Sequence, residues 1–586
     1  AQVSTDITDV KQTLKYESEQ PNSLYDPNGS FQSINRRYDI VYGDVMLNFN
    51  YNINRFDIAA TVGWTGRYEN MNNMRVSTNG GLVTENWFDL NASRYTPSST
   101  LQRMELLKTG YMGTLSLGWD NYLFLELTGR QERSSTLKDQ SFFYPSANLS
   151  FLFTQAFHMP SWWNYGKLRL SYGIVGNAPE TYTANIVYEQ GSDNGFTWNT
   201  IPSSWGNADI RPEKKYEYEI GLESKFLNNR LGIDVSYYNN RVKDQILSTP
   251  QPSTSGVKNV LMNVGEVANH GWDISISATP ILTRDFRWDL TANYGVYKNK
   301  VVKLADGVPY LEILNSGGSG IKIQAVEGQP MGDIYAQVPQ VNENGEYLVS
   351  DKGLYLNQTE LQKVGNINPA GVGGLFNSFS YKNVFLDFSI DFRIGGDVIN
   401  EMNQYATAVG LTPESLKYRD TEHGGLSYYY PGDNNSSGIP VQVDPSTGAG
   451  PNGEIIYHDG IILPGVVAST GERNTRIIPA GYYYNTTYNW GTEAEQLTYR
   501  HSVFDNSYVK LRELTIGYQF PEKIISKLGL GRLSVSVFGR NLFYFYKALK
   551  NYDAESSVGT SWANQATVGS STTATRSFGV SLRASF

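Results

Sequence analysis

Val384-Phe385-Leu386-Asp387-Phe388-Ser389-Ile390-Asp391-Phe392-Arg393-Ile394 is the stretch on which the reading of this chain turns. Val384, Leu386, Phe388, Ile390, Phe392 and Ile394 fall on one phase of a two-residue period, and Asp387, Ser389, Asp391 and Arg393 on the other. Successive side chains of a strand point to opposite faces, so this is a strand with one apolar and one wet face. The same alternation recurs in 286–297, where Phe286, Trp288, Leu290, Ala292, Tyr294 and Val296 oppose Arg287, Asp289, Thr291, Asn293 and Gly295. It recurs again from Trp272 to Ala278, from Tyr216 to Phe226, and at the end of the chain, where Phe578, Val580, Leu582, Ala584 and Phe586 share a face. A soluble sandwich also alternates, but its strands usually run about 5–6 residues. The segments here are about twice that length, close to the roughly 9–11 residues a tilted strand needs to cross a bilayer.

Fifteen strands can be placed, near 40–51, 54–66, 109–120, 121–133, 144–155, 166–176, 214–227, 230–241, 266–279, 284–298, 372–381, 383–394, 507–520, 532–545 and 575–586. Their connections decide the architecture. Tight turns are read at Asn52-Ile53, Asp120-Asn121, Asn228-Asn229, Ile281 to Thr283 and Lys382-Asn383, with longer ones at 156–165 and 521–531. The intervening connections run 67–108, 134–143, 177–213, 242–265, 299–371, 395–506 and 546–574. Short and long alternate, which is the layout of a transmembrane antiparallel β-barrel with long loops on one rim. A propeller would show a 40–50-residue repeat, and none is visible. Trp64, Trp119, Trp162, Trp163 and Trp288 fall near strand ends, the place of amphipathic rings at a membrane interface. Pro521 to Gly529 reads as a short amphipathic helix with Ile524, Ile525 and Leu528 on one face.

Composition agrees by exclusion. The chain has 586 residues, 18% charged, with 41 Tyr, 56 Gly and no Cys. The mean hydropathy is −0.40, and no apolar run is long enough for a transmembrane helix. The absence of cysteine excludes disulfides, thiolate metal sites and cysteine nucleophiles. A formal net charge of −9 argues against nucleic acid as a partner. The chain begins Ala1-Gln2-Val3-Ser4, so either a signal peptide has been removed or the sequence starts inside a longer protein. The strand at 40–51 and the last strand run the same way, which makes an odd count; residues 3–13, with Val3, Thr5 and Ile7 alternating, supply a sixteenth. Residues 1–39 are therefore expected to be an entry segment of one upstream strand plus a loop, and 40–586 the barrel with its largest loops at 299–371 and 395–506.

Four blocks of sequence add a resemblance. Ser507-Tyr508-Val509-Lys510-Leu511-Arg512-Glu513-Leu514-Thr515-Ile516-Gly517-Tyr518-Gln519-Phe520-Pro521 resembles a late strand of the SusC/RagA family of TonB-dependent outer-membrane transporters. Gly539-Arg540-Asn541-Leu542-Phe543 with Tyr552-Asp553-Ala554-Glu555 is similar to that family's ending, with Arg540 where Gln is common and Ala554 where Pro is usual. Leu168 to Gly173 with Gly176-Asn177 resembles an earlier strand of that family, and Arg211-Pro212-Glu213-Lys214 with Glu217 and Glu219 resembles a strand start. The resemblance covers at least 166–586. It implies a 22-stranded barrel around an N-terminal plug, preceded by a TonB-binding segment. It also implies import of oligosaccharides or oligopeptides with a SusD-like lipoprotein over the extracellular face. No plug or TonB-binding segment can be read before residue 40, so the resemblance implies that this chain carries roughly strands 7 to 22 and that TonB acts through a segment not in this chain. A passive 16-stranded porin is the alternative, and a secreted adhesin ranks below both.

No enzyme chemistry is expected. The five histidines (His158, His270, His423, His458, His501) show no ligand spacing, and no P-loop, HExxH or nucleophile elbow is present. The turn Asp433-Asn434-Asn435-Ser436-Ser437-Gly438 is oxygen-rich but lacks the later acidic ligand of a calcium loop. Neither metal nor cofactor is expected. Substrate or partner contact is expected on the long loops, at Tyr182, Trp198, Trp205, Tyr428, Tyr429, Tyr430 and Trp490, because rings stack on sugars and peptide side chains at low entropy cost.

Overall fold

The computed structural model describes residues 1–18, 26–138, 141–193, 195–316, 320–432, 438–489, 498–556, 561–569 and 574–585, apart from the side chains at 193, 250, 253 and 528. Sixteen strands form one sheet in sequential order. They are β1 (Gln2–Tyr16), β2 (Ser30–Ile53), β3 (Phe56–Leu82), β4 (Ser93–Trp119), β5 (Leu123–Ser134), β6 (Ser141–Phe151), β7 (Trp163–Asn177) and β8 (Glu213–Phe226). They continue as β9 (Leu231–Lys243), β10 (Glu266–Leu282), β11 (Phe286–Lys303), β12 (Pro369–Tyr381), β13 (Val384–Gly395), β14 (Tyr508–Gln519), β15 (Arg532–Lys547) and β16 (Ser577–Ser585). The chain divides into two compact units, 1–160 with 165–222 and 238–268, and 161–164 with 223–237 and 269–586. The ladders β1 to β7 and β11 to β16 are antiparallel.

The tight turns hold for a local reason. Asn54, Asp120, Asn121, Asn228, Asn229 and Lys382 all take φ between 51° and 62°, a region that Asn and Asp tolerate better than most residues. The first of these turns sits at Asn54-Arg55, two residues beyond the position read from sequence, because Tyr51 and Ile53 keep the strand's alternation to its end. A larger correction concerns β2, β3 and β4, which are 24, 27 and 27 residues long. The expected loop 67–108 is mostly strand, paired from Arg67↔Lys108 to Ser77↔Ser98, and only 83–92 connects. Apolar alternation is needed only where lipid lies outside; beyond that level the ladder continues with polar side chains and the pattern goes silent. For the same reason β1 pairs with β2 along its whole length, from Gln2↔Asp44 to Tyr16↔Ser30.

The sheet's apolar phase is the exposed one. Val45, Leu47, Phe49 and Tyr51 on β2 are 52–63% exposed, and Phe578, Val580 and Leu582 on β16 are 70–73% exposed. In water each such side chain forgoes about 1.5–3 kcal/mol of burial, so this face requires lipid. Trp119 ends β4, Trp163 opens β7 against Trp162, and Trp288 lies two residues into β11. Trp64 departs from the expectation: it is the ninth residue of β3, which is about one bilayer crossing from the turn. In the helix at Glu522–Ile525, Ile525 is buried but Ile524 is exposed, so the two do not share a face; the side chain of Leu528 lies outside the description, as does Phe586. The closely packed core is in the loops instead. Ile321, Ile323, Ile334, Ala336 and Ile399 are all fully buried, and none of them belongs to the sheet.

Candidate binding surface on the long loops

In the second unit the three long connections 304–368, 396–507 and 548–576 fold together. Tyr310–Ser316, Ile321–Val326, Asp333–Ala336 and Gln362–Asn366 make a four-stranded sheet. Its Ile321, Ile323, Ile334 and Ala336 pack with Ile399, Tyr499 and Val503 from the second connection and with Ala563 and Ala566 from the third. Val568 N–H donates to the Ile399 carbonyl at 2.8 Å, and Asn551 Nδ2 donates to Asn403 Oδ1 at 3.0 Å and Glu414 Oε2 at 3.2 Å. A second small sheet includes Leu426–Tyr429 and Tyr457–Ile461. The result is a folded cap with its own core.

A separate buried cluster, around Ile477 and Tyr457, absorbs two of the expected contact residues. Tyr428 and Tyr430 are 1% and 5% exposed, and Tyr428 stacks on Tyr457 at 5.5 Å while its hydroxyl donates to Asp459 Oδ1 at 3.1 Å. Burial, then the Asp459 carboxylate, pushes the Tyr428 phenol well above its usual pKa. Tyr429 points the other way along the strand and is half-buried. Ser427 Oγ and His458 Nδ1 lie 2.8 Å apart, but Ser427 is buried and Asp459 is engaged by Tyr428, so no nucleophile is assembled. Tyr483, Tyr484 and Tyr488 lie on a helix (Ala480–Tyr488) and pack on one another, with His501 stacked on Tyr488 at 4.5 Å. Burial, helped by Arg500, lowers the His501 pKa to about 4, so the ring is neutral. Trp490 and the turn 433–437 lie outside the described residues.

The helix α1 (Glu401–Ala408) is turned inside out. Asn403, Gln404, Thr407 and Ala408 are buried, whereas Met402, Tyr405 and the following Val409 are 39–45% exposed on the i, i+3, i+7 face. Leu411 is 79% exposed beside them. Burying carboxamides while showing methionine and tyrosine to solvent reverses the usual preference.

The first unit carries the other three expected residues. Tyr182, at φ 67°, is half exposed, and its hydroxyl accepts from the Glu105 N–H at 3.1 Å. It lines a groove of about 390 Å³ with Tyr68, Glu105, Ser135 and Asn185. Trp198 lies on a two-stranded hairpin, Glu189–Asp193 with Phe196–Thr200, directly across from Gly191. Its ring covers that glycine, where a Cβ would come within 2.7 Å. Phe196, on the same phase, is 77% exposed. Trp205 is half-buried against Tyr188, edge to face at 5.9 Å.

Three of the four quoted sequence blocks prove to be parts of two hydrogen-bonded sites. In the first unit Asn263 holds the Arg211-Pro212-Glu213-Lys214 turn, accepting from Arg211 N and donating to its carbonyl, both at 2.7 Å. In the second, Tyr552-Asp553-Ala554-Glu555 is bonded at every residue. Lys547 Nζ donates to the Tyr552 carbonyl at 2.6 Å, and Tyr544 Oη to Asp553 Oδ1 at 2.9 Å. Asn506 Nδ2 donates to the Ala554 carbonyl at 2.9 Å. Glu555 takes Lys510 Nζ at 2.6 Å and a fork from Arg512 at 2.9 and 2.5 Å. Burial opposes its charge, but hydrogen bonds from Arg512 and Lys510 hold the carboxyl at about 2. The opposite charges of the two blocks were the available sequence signal for this pairing.

The TonB dependent receptor-like β-barrel family model matches residues 2–542. TonB-dependent receptor P3 of Formosa agariphila is 24% identical over 494 residues, 77% of this chain and 42% of that protein. TonB-dependent receptor SusC of Bacteroides thetaiotaomicron is 30% identical over 247 residues, 39% of this chain and 24% of that one. Among solved structures, the RagAB peptide transporter superposes with a TM-score of 0.67 at 18% identity, covering 94% of this chain and 56% of that chain. The chain thus spans less than half the length of these curated relatives.

Proposed function

Because the chain belongs to the TonB-dependent receptor-like β-barrel family, a family of outer-membrane transporters, we propose that it forms the wall and extracellular cap of an active importer. Its substrates are oligosaccharides or oligopeptides, taken up together with a SusD-like surface lipoprotein and energised by TonB. The observation that carries this reading is the pairing of an outward apolar sheet face with a folded, aromatic-rich cap on the long-loop rim, in a chain matching this family over most of its length. The names of SusC and of the RagAB peptide transporter support uptake of this kind. TonB acts, on this reading, through a plug and a TonB-binding segment belonging to the part of the relatives that this chain does not span. Residues 2–16 and 30–53 are themselves strands of the sheet.

The rings that reach the surface are proposed as contacts: the exposed Tyr182 and Trp198 in the first unit, and the half-buried Tyr429 in the second. Trp205, Tyr428 and Tyr430 support them from within the loop packing. The outward face of α1, with Met402 and Tyr405, is proposed to meet the lipoprotein, because apolar side chains on the long-loop rim have no lipid to enter. The test is uptake of labelled oligosaccharide and oligopeptide pools by cells expressing the full-length protein, with and without functional TonB. Accumulation of one pool that needs both the protein and TonB is expected. Uptake that persists without TonB would instead indicate a passive pore.

A further inference from the structure

Lys510 is 1% exposed, yet it lies on β14 at the base of the loops rather than in a hydrophobic core. Its ammonium sits 4.8 Å over the Tyr544 ring and 2.6 Å from Glu555. Beside it Arg512 reaches three elements at once: Asp391 on β13 at 2.5 Å, Asn541 on β15 at 3.0 Å, and the Glu555 fork. Asn541 takes φ 53° inside β15, next to a register shift between Leu511 and Glu513. That bulge turns its side chain toward Arg512, and its Nδ2 reaches the Thr575 carbonyl at 3.3 Å. Three sequence blocks, at 507–521, 539–543 and 552–555, therefore meet around one carboxylate.

The segment that ends in Glu555 is also tied to its neighbours. Leu549 and Val568 pack with Val398 in one buried cluster. Asn551, Ala554 and Val568 bond to Asn403, Asn506 and Ile399 of the preceding connection. We infer that Lys510, Arg512, Asn541 and Glu555 form an ionic latch that holds the connections 396–507 and 548–576 to the strand wall as one body. Any opening at this mouth then moves the cap as a unit rather than loop by loop. Lys510 and Arg512 are positioning residues: they touch no substrate but fix the cap that a substrate must pass. Lys510 is the buried member of this charge-assisted pair and Glu555 the more exposed one, so removing the Glu555 charge strands the Lys510 ammonium.

Hydrogen exchange on the full-length protein in outer-membrane vesicles tests this without relying on transport. In Glu555→Gln, exchange across 397–416 and 548–568 should rise together, by about tenfold or more, while β14 stays protected. Lys510→Gln should produce the same joint rise, and the double variant should add little to either single change. Loosening confined to 548–556, or additive effects of the two substitutions, would overturn the latch. If Glu555→Gln fails to fold, Asn551→Ala offers a second route. It leaves the latch intact and removes a tie between the two connections, so it should raise exchange in both segments, and protection unchanged in both would also count against a single body.

Discussion

Asn541 shows how one residue can serve two needs at once. At φ 53° it occupies a backbone region costing most residues about 1–2 kcal/mol, and its side-chain Oδ1 accepts from Arg512. Asn541→Ala should lower stability by about 1–3 kcal/mol in denaturant melts, and Asn541→Gly by less, because glycine restores the backbone but not the acceptor. In the sequence this asparagine was legible only as part of a family resemblance; the bulge that explains it depends on the register of β14 against β15. His501 makes a pH prediction. Its folded pKa, about 4, lies below the ordinary value of 6.5. The neutral ring therefore contributes stability above about pH 6.5 that is lost as pH falls toward 4. Tryptophan and tyrosine fluorescence melts should show the loss between pH 6.5 and 4, and His501→Phe, which keeps the stack on Tyr488, should flatten it. The histidine's burial was not legible, because the residues around it lie far from it in sequence or on another helix.

Strands are where the sequence spoke most clearly. Alternation located the strands of the sixteen-stranded sheet, the first with the help of the parity argument, and the structure adds why the chain needs so much glycine beside so many rings. Phe385 lies across from Gly517, Phe538 from Gly579 and Phe124 from Gly118, each ring resting over the bare glycine. A Cβ on Gly517 would come within 2.1 Å of the Phe385 ring. The two faces of β2 make a direct test of lipid contact. Phe49→Arg should destabilise the barrel by about 2–4 kcal/mol, whereas Asn48→Arg, one residue away on the other face, should cost little. Heat-modifiable gel migration reads the difference, and equal effects would contradict the assignment of faces. What alternation missed was the outer half of β2, β3 and β4. There Arg37, Asp39, Arg67 and Glu69 pair along the strands at polar positions, and a polar ladder carries no two-residue hydropathy signal.

For the whole molecule, the barrel layout predicts that the long loops face outside the cell and the short turns face the periplasm. A protease site inserted after Asn452, in an exposed turn of the 396–507 connection, should be cut in intact cells, whereas one inserted at Asn228-Asn229 should be cut only after the outer membrane is opened. Cleavage at both in intact cells would contradict the orientation. By itself the sequence determined the all-β class, the strand order and the rim bearing the long loops, because side-chain alternation and turn residues act between near neighbours. Only the tertiary structure decided that the three long connections of the second unit pack around Ile321 and its neighbours, that Tyr428 and Tyr430 are buried in a separate cluster with Ile477 while Tyr429 is not, and that Glu555 answers Lys510 and Arg512. Those contacts join residues dozens to hundreds of positions apart, and their free energy comes from burial and charge pairing that exist only once the chain has folded.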